Sequence, residues 1–214
     1  MARIPKDRSD FQEIARVRRN LGDVKAPYAT AALIEELRQW ELAFMDTQER
    51  PKMVIFAHHK SVIETIKAQI EAVFPGSVLT FDGSTKSRKC QPTVDALQQD
   101  ESKRVMILSR SGIKGITLIR ANVMRTVEPD WNPADMIQLE DRMWRTGHTQ
   151  NCDVGYMFIP GTLDGRMGKS ILTKMESDER TMNKPKLTLE AEQATPAEPE
   201  VAPDGADLPL FASA

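Results

Sequence analysis

The sequence predicts an α/β fold in which a parallel sheet is wound with helices. Between about residues 51 and 183, apolar runs of strand length alternate with segments of helical periodicity. The apolar runs are continuous, as expected for strands that are buried on both faces. Helical segments between successive strands are the connections that parallel strands require.

The segment before the first strand, from about residue 9 to 45, predicts two helices. Ile14, Val17 and Leu21 fall at helical spacing, and Pro27 is expected to interrupt the pattern. The apolar face of the second helix comprises Ala31, Leu33, Ile34, Leu37 and Trp40. We therefore expect a helical lead-in over residues 1–50, the α/β domain over 51–183 and a tail over 184–214.

Five strands and their helices follow the lead-in. The predicted strands are Met53–Ala57, Ser77–Phe81, Val105–Leu108, Asn122–Val127 and Val154–Ile159. A helical pattern over residues 62–73 stops near Pro75, and a second one carries Val94 and Leu97. Pro133 is suited to the first turn of a further helix.

The last 31 residues predict a disordered acidic tail that is rich in Pro, Ala and Glu. Its apolar end, Leu208–Phe211, is either an unstructured terminus or a short docking motif. From Glu190 onward there are six acidic residues and no Lys or Arg, so the rest of the chain has 29 basic and 25 acidic residues. A net charge of +4 permits a nucleic-acid partner without requiring one.

Composition excludes several classes of protein. At 40% hydrophobic and 28% charged residues, the 214-residue chain can bury a core. Its apolar runs are far shorter than the roughly 20 residues that span a bilayer, so no membrane partner is expected. Two cysteines and three histidines, two of them adjacent, predict neither a disulfide framework nor a metal site. We expect a reducing, cytoplasmic compartment, or the nucleus in a eukaryote.

The loops that follow the strands are the expected binding region, because ligands of such sheets gather at the carboxyl ends of the strands. These loops are polar, basic and contain glycine, and they span residues 57–60, 82–88, 109–115 and 128–133. On the helix that Pro133 opens, Gln138, Arg142 and Arg145 share a face. Guanidinium groups in this arrangement suit phosphate oxygens. The alternative is an exposed helix whose arginines pair with its own carboxylates.

Five motifs, in order, resemble the second motor lobe of the SWI/SNF-type ATPases of helicase superfamily two. They are F-A-H-H-K at Phe56–Lys60, D-G-S-T-x-x-R at Asp82–Arg88, L-S-x-S-G-x-x-G-I-T-L at Leu108–Leu118, W-N-P at Trp131–Pro133 and Q-x-E-D-R-x-x-R-x-G at Gln138–Gly147. The first motif and the helical lead-in resemble the annealing-helicase branch. The resemblance covers about residues 10–180 and implies a RecA-like lobe.

The resemblance also implies the roles of individual residues. Arg142 and Arg145 occupy the positions of arginine fingers, which neutralise charge on the transferred phosphoryl group. Gln138, Gly112 and Gly115 would line the ATP interface between lobes. Backbone contacts to DNA would come from His58, Lys60, Gly83, Ser84, Thr85, Lys86, Arg88, Ser109 and Arg110. His59 would pack beside this set. Such contacts are independent of base sequence.

The sequence departs from the family pattern at Trp144, Thr146 and His148, and in the glycine loop at Ser111–Ile113. It contains no G-x-x-x-x-G-K-S/T phosphate loop, since Leu163 stands where the motif ending at Gly168–Ser170 would need glycine. We therefore expect ATP and Mg²⁺ to be used only together with a first motor lobe, supplied by another chain or by a longer gene. The alternative is a stand-alone nucleic-acid-binding or regulatory module that has lost catalysis.

Overall fold

The computed structural model describes residues 8–45, 50–83, 85, 87–112, 116–130, 132–144 and 151–182. The helices are α1 (Arg8–Ala43), α2 (Lys60–Val73), α3 (Ser87–Gln99), α4 (Pro133–Met143) and α5 (Leu163–Met182), with a short 3₁₀ helix at Arg110–Gly112. The strands are β1 (Met53–Phe56), β2 (Val78–Phe81), β3 (Val105–Leu108), β4 (Val123–Thr126) and β5 (Asp153–Tyr156). None of the described helices is both long and apolar enough to cross a membrane.

The five strands form one parallel sheet in the order β2-β3-β1-β4-β5. This confirms the predicted α/β class and the RecA-like arrangement of sheet and helices. The predicted fifth strand was too long, because pairing with β4 ends at Tyr156. Beyond it the chain turns through Gly161, whose φ of 76° lies in the left-handed region that glycine tolerates. The predicted tail lies outside the described residues.

The expectation of two helices before the sheet was wrong, because α1 continues through Pro27 as one helix of 36 residues. Proline removes one backbone N–H and usually breaks a helix. Here the proline lies on the exposed side, whereas Ala26, Ala29, Leu33 and Leu37 on the opposite side are buried against the protein. Burial of that face therefore outweighs the loss of one helical hydrogen bond.

Hydrophobic clusters cover both faces of the sheet. Alternate residues of β1 divide between them: Met53 and Ile55 join the cluster with α1 and α2, while Val54 and Phe56 join the cluster with α3, α4 and α5. Both clusters consist of fully or nearly fully buried side chains. This explains why the strands lack an alternating apolar and polar pattern.

Charged side chains fasten the helices to the sheet. Buried Lys52, before β1, donates to the carbonyl oxygens of Leu97 and Asp100 at 2.7 and 2.9 Å and so holds the end of α3. Burial lowers the pKa of Lys52, and nearby Glu101 opposes that shift. On the other face, α1 is held by two ion pairs, Arg125–Glu36 at 2.6 Å and Arg104–Glu41.

Candidate nucleotide and nucleic-acid site

The loops predicted to bind ligand meet at one edge of the sheet, because all five strands are parallel and their carboxyl ends lie together. Of the predicted DNA-contacting residues, His58 follows β1, Gly83 and Thr85 follow β2, and Ser109 and Arg110 follow β3. Lys60 begins α2 and is exposed, with its Nζ 3.6 Å from Glu64. The loops named from the sequence therefore share one edge of the sheet, while their binding role and the roles of these residues stay predictions.

Glu128, two residues after the end of β4, organises the loop that follows β1. Its Oε2 accepts hydrogen bonds from the backbone N–H groups of His58 and His59 at 3.0 and 2.9 Å. Its Oε1 lies 2.7 Å from Nδ1 of His59, a contact that needs a proton between the two atoms. The Glu128 side chain is only 4% exposed. This buried carboxylate fixes the backbone of the F-A-H-H-K segment and the orientation of the His59 ring.

Asp130 lies two residues farther on and faces the same edge. Its Oδ1 accepts the backbone N–H of Asn132 at 3.1 Å, and its Oδ2 lies 3.6 Å from Nδ1 of His58 and 3.7 Å from Nε of Arg110. Burial alone would raise the pKa of Asp130, but His58, the Asn132 N–H and the charge of Arg110 together lower it to about 2. Asp130 is thus a carboxylate anion at neutral pH.

Arg110 bridges two parts of the chain. Besides its long contact with Asp130, its Nη2 lies 2.9 Å from Oδ2 of Asp135, in the first turn of α4. The Arg110 side chain is 58% exposed. The guanidinium therefore remains accessible at the edge of the sheet although it already has two carboxylate neighbours.

Gly112 and Gly83 allow the loops after β2 and β3 to approach each other. A Cβ atom on Gly112 would lie 2.6 Å from the carbonyl oxygen of Phe81, so no larger residue fits without a shift of backbone. A Cβ on Gly83 would meet Oγ of Ser111 at 3.3 Å, a tight but adjustable contact. Ser111 in turn shares a 2.8 Å hydrogen bond with Ser109. The glycine loop is therefore packed directly against the end of β2.

Helix α4 carries part of the predicted ATP interface. Asn132 caps its N-terminus by accepting the Ala134 N–H at 3.3 Å, and Pro133 occupies the first helical position as predicted. Gln138 is exposed on this helix. Arg142, four residues on, is half-buried, and its Nε is buried without a hydrogen-bond partner among the described residues. The Arg142 carbonyl accepts the Leu118 N–H at 2.9 Å, so the end of α4 is attached to the segment after the glycine loop.

The described part of α4 ends at Met143, with Trp144 as its C-cap. The expectation that Arg145 shares a face with Gln138 and Arg142 therefore falls outside the described residues. Arg145, Gly115, Ser84 and Lys86 lie outside the described residues, as does the side chain of Arg88 in α3. Their predicted roles stay predictions.

Helix α1 closes one side of this edge. Arg18 donates to the carbonyl oxygen of Pro129 at 2.5 Å, and Lys25 bonds Asp164 at 2.6 Å and the carbonyl oxygen of Met157 at 3.0 Å. Burial lowers the pKa of Lys25, although Asp164 opposes the shift. A Cβ on Gly22 would lie 2.2 Å from Oε1 of Glu128, so α1 passes directly over this carboxylate.

Sequence reasoning did not single out Glu128, Asp130 or Asp135, the carboxylates that organise this edge. For Glu128 and Asp130 the available signal was an acidic residue soon after a strand, and for Asp135 a carboxylate in the first turn of a helix, but neither signal reveals the partners of these side chains. Among the described residues, no group of three or more His, Cys, Asp and Glu side chains is placed to hold a metal ion.

The model of the family described as "Helicase conserved C-terminal domain" matches residues 30–147, more than half of the chain. A Caenorhabditis elegans homologue of the SWI/SNF-related matrix-associated actin-dependent regulator of chromatin subfamily A-like protein 1 is 29% identical over 180 residues. That alignment covers 81% of this chain and 26% of the relative. The Homo sapiens DNA annealing helicase and endonuclease ZRANB3 is 32% identical over 145 residues, 66% of this chain and 13% of the relative.

Among solved structures, the C-terminal part of the Fun30 ATPase domain superposes with a TM-score of 0.56 at 24% identity, over 75% of this chain and 46% of that chain. This likeness confirms the fold. The chain spans about a quarter or less of the length of the curated relatives described above. Together with the edge geometry, these similarities establish that the chain belongs to the helicase conserved C-terminal domain family, with SWI/SNF-related proteins and annealing helicases among its relatives.

Proposed function

We propose that this chain acts as the second motor lobe of a DNA-dependent ATPase, a helicase-type DNA translocase. In this role the carboxyl edge of the sheet contacts the DNA backbone, and α4 presents arginine to ATP bound on a first lobe. DNA would be bound without regard to base sequence, through phosphates. A DNA partner would place the activity at the nucleoid of a bacterial cell, inside the host cell if the chain is encoded by a virus, or in the nucleus of a eukaryotic cell.

One observation carries the catalytic part of the proposal. Arg142 has a buried Nε without a hydrogen-bond partner among the described residues. Buried polar groups normally have partners, so an unsatisfied one points to a group supplied from elsewhere. A phosphate oxygen of ATP fits, because guanidinium binds it with charge-assisted hydrogen bonds. The unsatisfied Nε therefore supports an arginine-finger role for Arg142 more than it supports the alternative, an exposed helix whose arginines pair with its own carboxylates.

The residues present suit only part of an ATP site. Arg142, with Arg145 and Gln138 as predicted partners, would bind phosphate oxygens and stabilise the charge that develops during transfer. Gly112 would keep the loop beside them close to the sheet. The phosphate loop and the acidic group that holds Mg²⁺ belong to the proposed first lobe. ATP and Mg²⁺ are therefore expected to act where the two lobes meet.

The proposal is tested by measuring phosphate release from the chain alone and from the chain joined to a first lobe, each with and without DNA. We expect no release by the chain alone and DNA-dependent release by the joined lobes. Arg142→Ala or Arg145→Ala should reduce turnover by roughly 10³–10⁵, the usual effect of an arginine finger. Arg38→Ala, which removes an exposed arginine of α1, is the matched control.

The outcome separates the two functions considered for this chain. If either finger variant keeps more than about a tenth of the wild-type rate, that residue is not a finger, because a finger contributes at least about a thousandfold. If the joined lobes bind DNA but hydrolyse no ATP, the non-catalytic binding module becomes the better description.

A further inference from the structure

Arg110 occupies a position where a DNA contact is proposed, yet its guanidinium already faces two carboxylates of its own chain. Nη2 lies 2.9 Å from Oδ2 of Asp135, and Nε lies 3.7 Å from Oδ2 of Asp130. The side chains of Asp135 and Asp130 are 21% and 4% exposed, against 58% for Arg110. A phosphate can therefore reach the guanidinium from solvent, but it has to compete with internal anions.

Both carboxylate contacts of Arg110 are electrostatic rather than directional. Oδ2 of Asp130 and Oδ2 of Asp135 are buried and accept no hydrogen bond from the described residues, and Nδ1 of His58 is likewise without one. Distances of 3.6 and 3.7 Å join Oδ2 of Asp130 to His58 and Arg110. Departure of Arg110 would cost Coulomb energy but no well-formed hydrogen bond to Asp130, and the Asn132 N–H would still be bound at 3.1 Å.

The ion pairs of Arg110 connect the 3₁₀ helix after β3, where a DNA contact is proposed, to α4. Arg110 lies in the 3₁₀ helix after β3, whereas Asp135 lies in the first turn of the helix that carries Gln138 and Arg142. A negatively charged carboxylate in the first turn of a helix is stabilised by the helix dipole. Asp135 therefore still has a favourable electrostatic partner after Arg110 leaves. An exchange of partners at Arg110 would therefore change the contacts at the N-terminus of α4.

We propose that Asp135, assisted by Asp130, holds Arg110 in an internal ion pair that competes with DNA phosphate. DNA binding at this strand end then proceeds by exchange, in which the guanidinium leaves Asp135 for a backbone phosphate. The inference rests on the proposed DNA contact and adds that Asp135 limits its affinity. Asp135 is a positioning residue that acts through Arg110.

The test uses the whole chain and a fluorescently labelled duplex DNA at low salt, with affinity measured by anisotropy. Asp135→Asn should bind DNA about two- to five-fold more tightly, the range expected for release of a partly exposed ion pair. Asp141→Asn is the matched control, because it removes one exposed carboxylate from a different face of α4. Arg110→Ala and the double variant complete the cycle, and circular dichroism establishes that each variant is folded.

A dependence on Arg110 separates release of the ion pair from simple loss of negative charge. The double variant should bind no more tightly than Arg110→Ala, apart from any gain that Asp141→Asn also produces. An equal gain with and without Arg110, or no gain in Asp135→Asn while the wild type binds DNA, would overturn this proposal and leave the motor-lobe function standing. Absence of DNA binding by every variant and by the wild type would overturn both.

Discussion

Replacing Glu128 by Gln tests how strongly one buried carboxylate stabilises the F-A-H-H-K segment. Gln keeps the size of the side chain, and its single carbonyl oxygen can still accept the two N–H groups that Oε2 accepts at 2.9 and 3.0 Å. The amide would then face Nδ1 of His59, which can change tautomer and accept. What is lost is the negative charge on the acceptor of these two hydrogen bonds inside the protein.

Charge-assisted hydrogen bonds are roughly twice as strong as neutral ones, and a neutral bond contributes about 1 kcal/mol. Two such bonds give an expected loss of about 2 kcal/mol in the free energy of unfolding for Glu128→Gln. For a chain of this length the melting temperature should fall by about 4–8 °C. Urea unfolding, followed by far-UV circular dichroism, measures the loss directly.

Glu64 supplies a control, because it is an exposed carboxylate of α2 whose Oε1 lies 3.6 Å from Nζ of Lys60, so that Gln removes only a surface ion pair. Glu64→Gln should cost no more than about 0.5 kcal/mol in the free energy of unfolding. The reasoning is refuted if Glu128→Gln is as stable as the wild type to within about 0.5 kcal/mol, or if both variants lose equally.

Three further measurements follow from the edge geometry. Gly112→Ala places a Cβ 2.6 Å from the Phe81 carbonyl oxygen and should lower the free energy of unfolding by about 1–3 kcal/mol, whereas Gly83→Ala should cost less; equal losses in urea unfolding would contradict this. Asp130 has a folded pKa of about 2, below its ordinary 3.8, so its stabilisation is complete above about pH 4 and is lost toward pH 2. The difference in the free energy of unfolding between the wild type and Asp130→Asn should therefore shrink by about 2 kcal/mol between about pH 4 and pH 2. A difference that does not change with pH would show that the ion pairs of Asp130 are not its source. Two or three phosphate contacts predict a slope of log affinity against log salt of about −2 to −3 on duplex DNA, and truncation after Lys184 should leave binding unchanged or stronger; loss of binding on truncation would move the site to the tail.

The fold was predictable because its signals are local. Continuous apolar runs such as Val105–Leu108 predict strands buried on both faces, and the structure has that strand with the predicted bounds. Pro27 was misjudged because its effect depends on which side of α1 faces the core, and that side is set by distant residues. The end of β5 was misjudged for a similar reason, since its pairing with β4 stops before its apolar residues do.

The position of the candidate site in the fold was predictable from the sequence, but the contacts among its side chains were not. Parallel strands bring their ends together, so the edge that holds His58 and Arg110 followed from the order of elements alone. The partners of Arg110 did not, because Asp135 is 25 residues away in sequence and only the packing of α4 beside the 3₁₀ helix brings the two to 2.9 Å. Glu128 and the two histidines are 69 and 70 residues apart and meet through the pairing of β1 with β4.

The direction of α1 has a mechanical consequence. Arg18 contacts the carboxyl edge of the sheet at Pro129, whereas Glu41 contacts Arg104 at the amino edge, so the helix runs antiparallel to the strands. At 1.5 Å per residue, about 34 Å of helix separates these two attachments. A pull along the axis of α1 would be shared by contacts at both edges and by the Arg125–Glu36 pair between them. A force applied at Arg8 is therefore transmitted along one continuous helix to the contact with Pro129. Pro129 lies between Glu128 and Asp130, the two carboxylates that face the histidines.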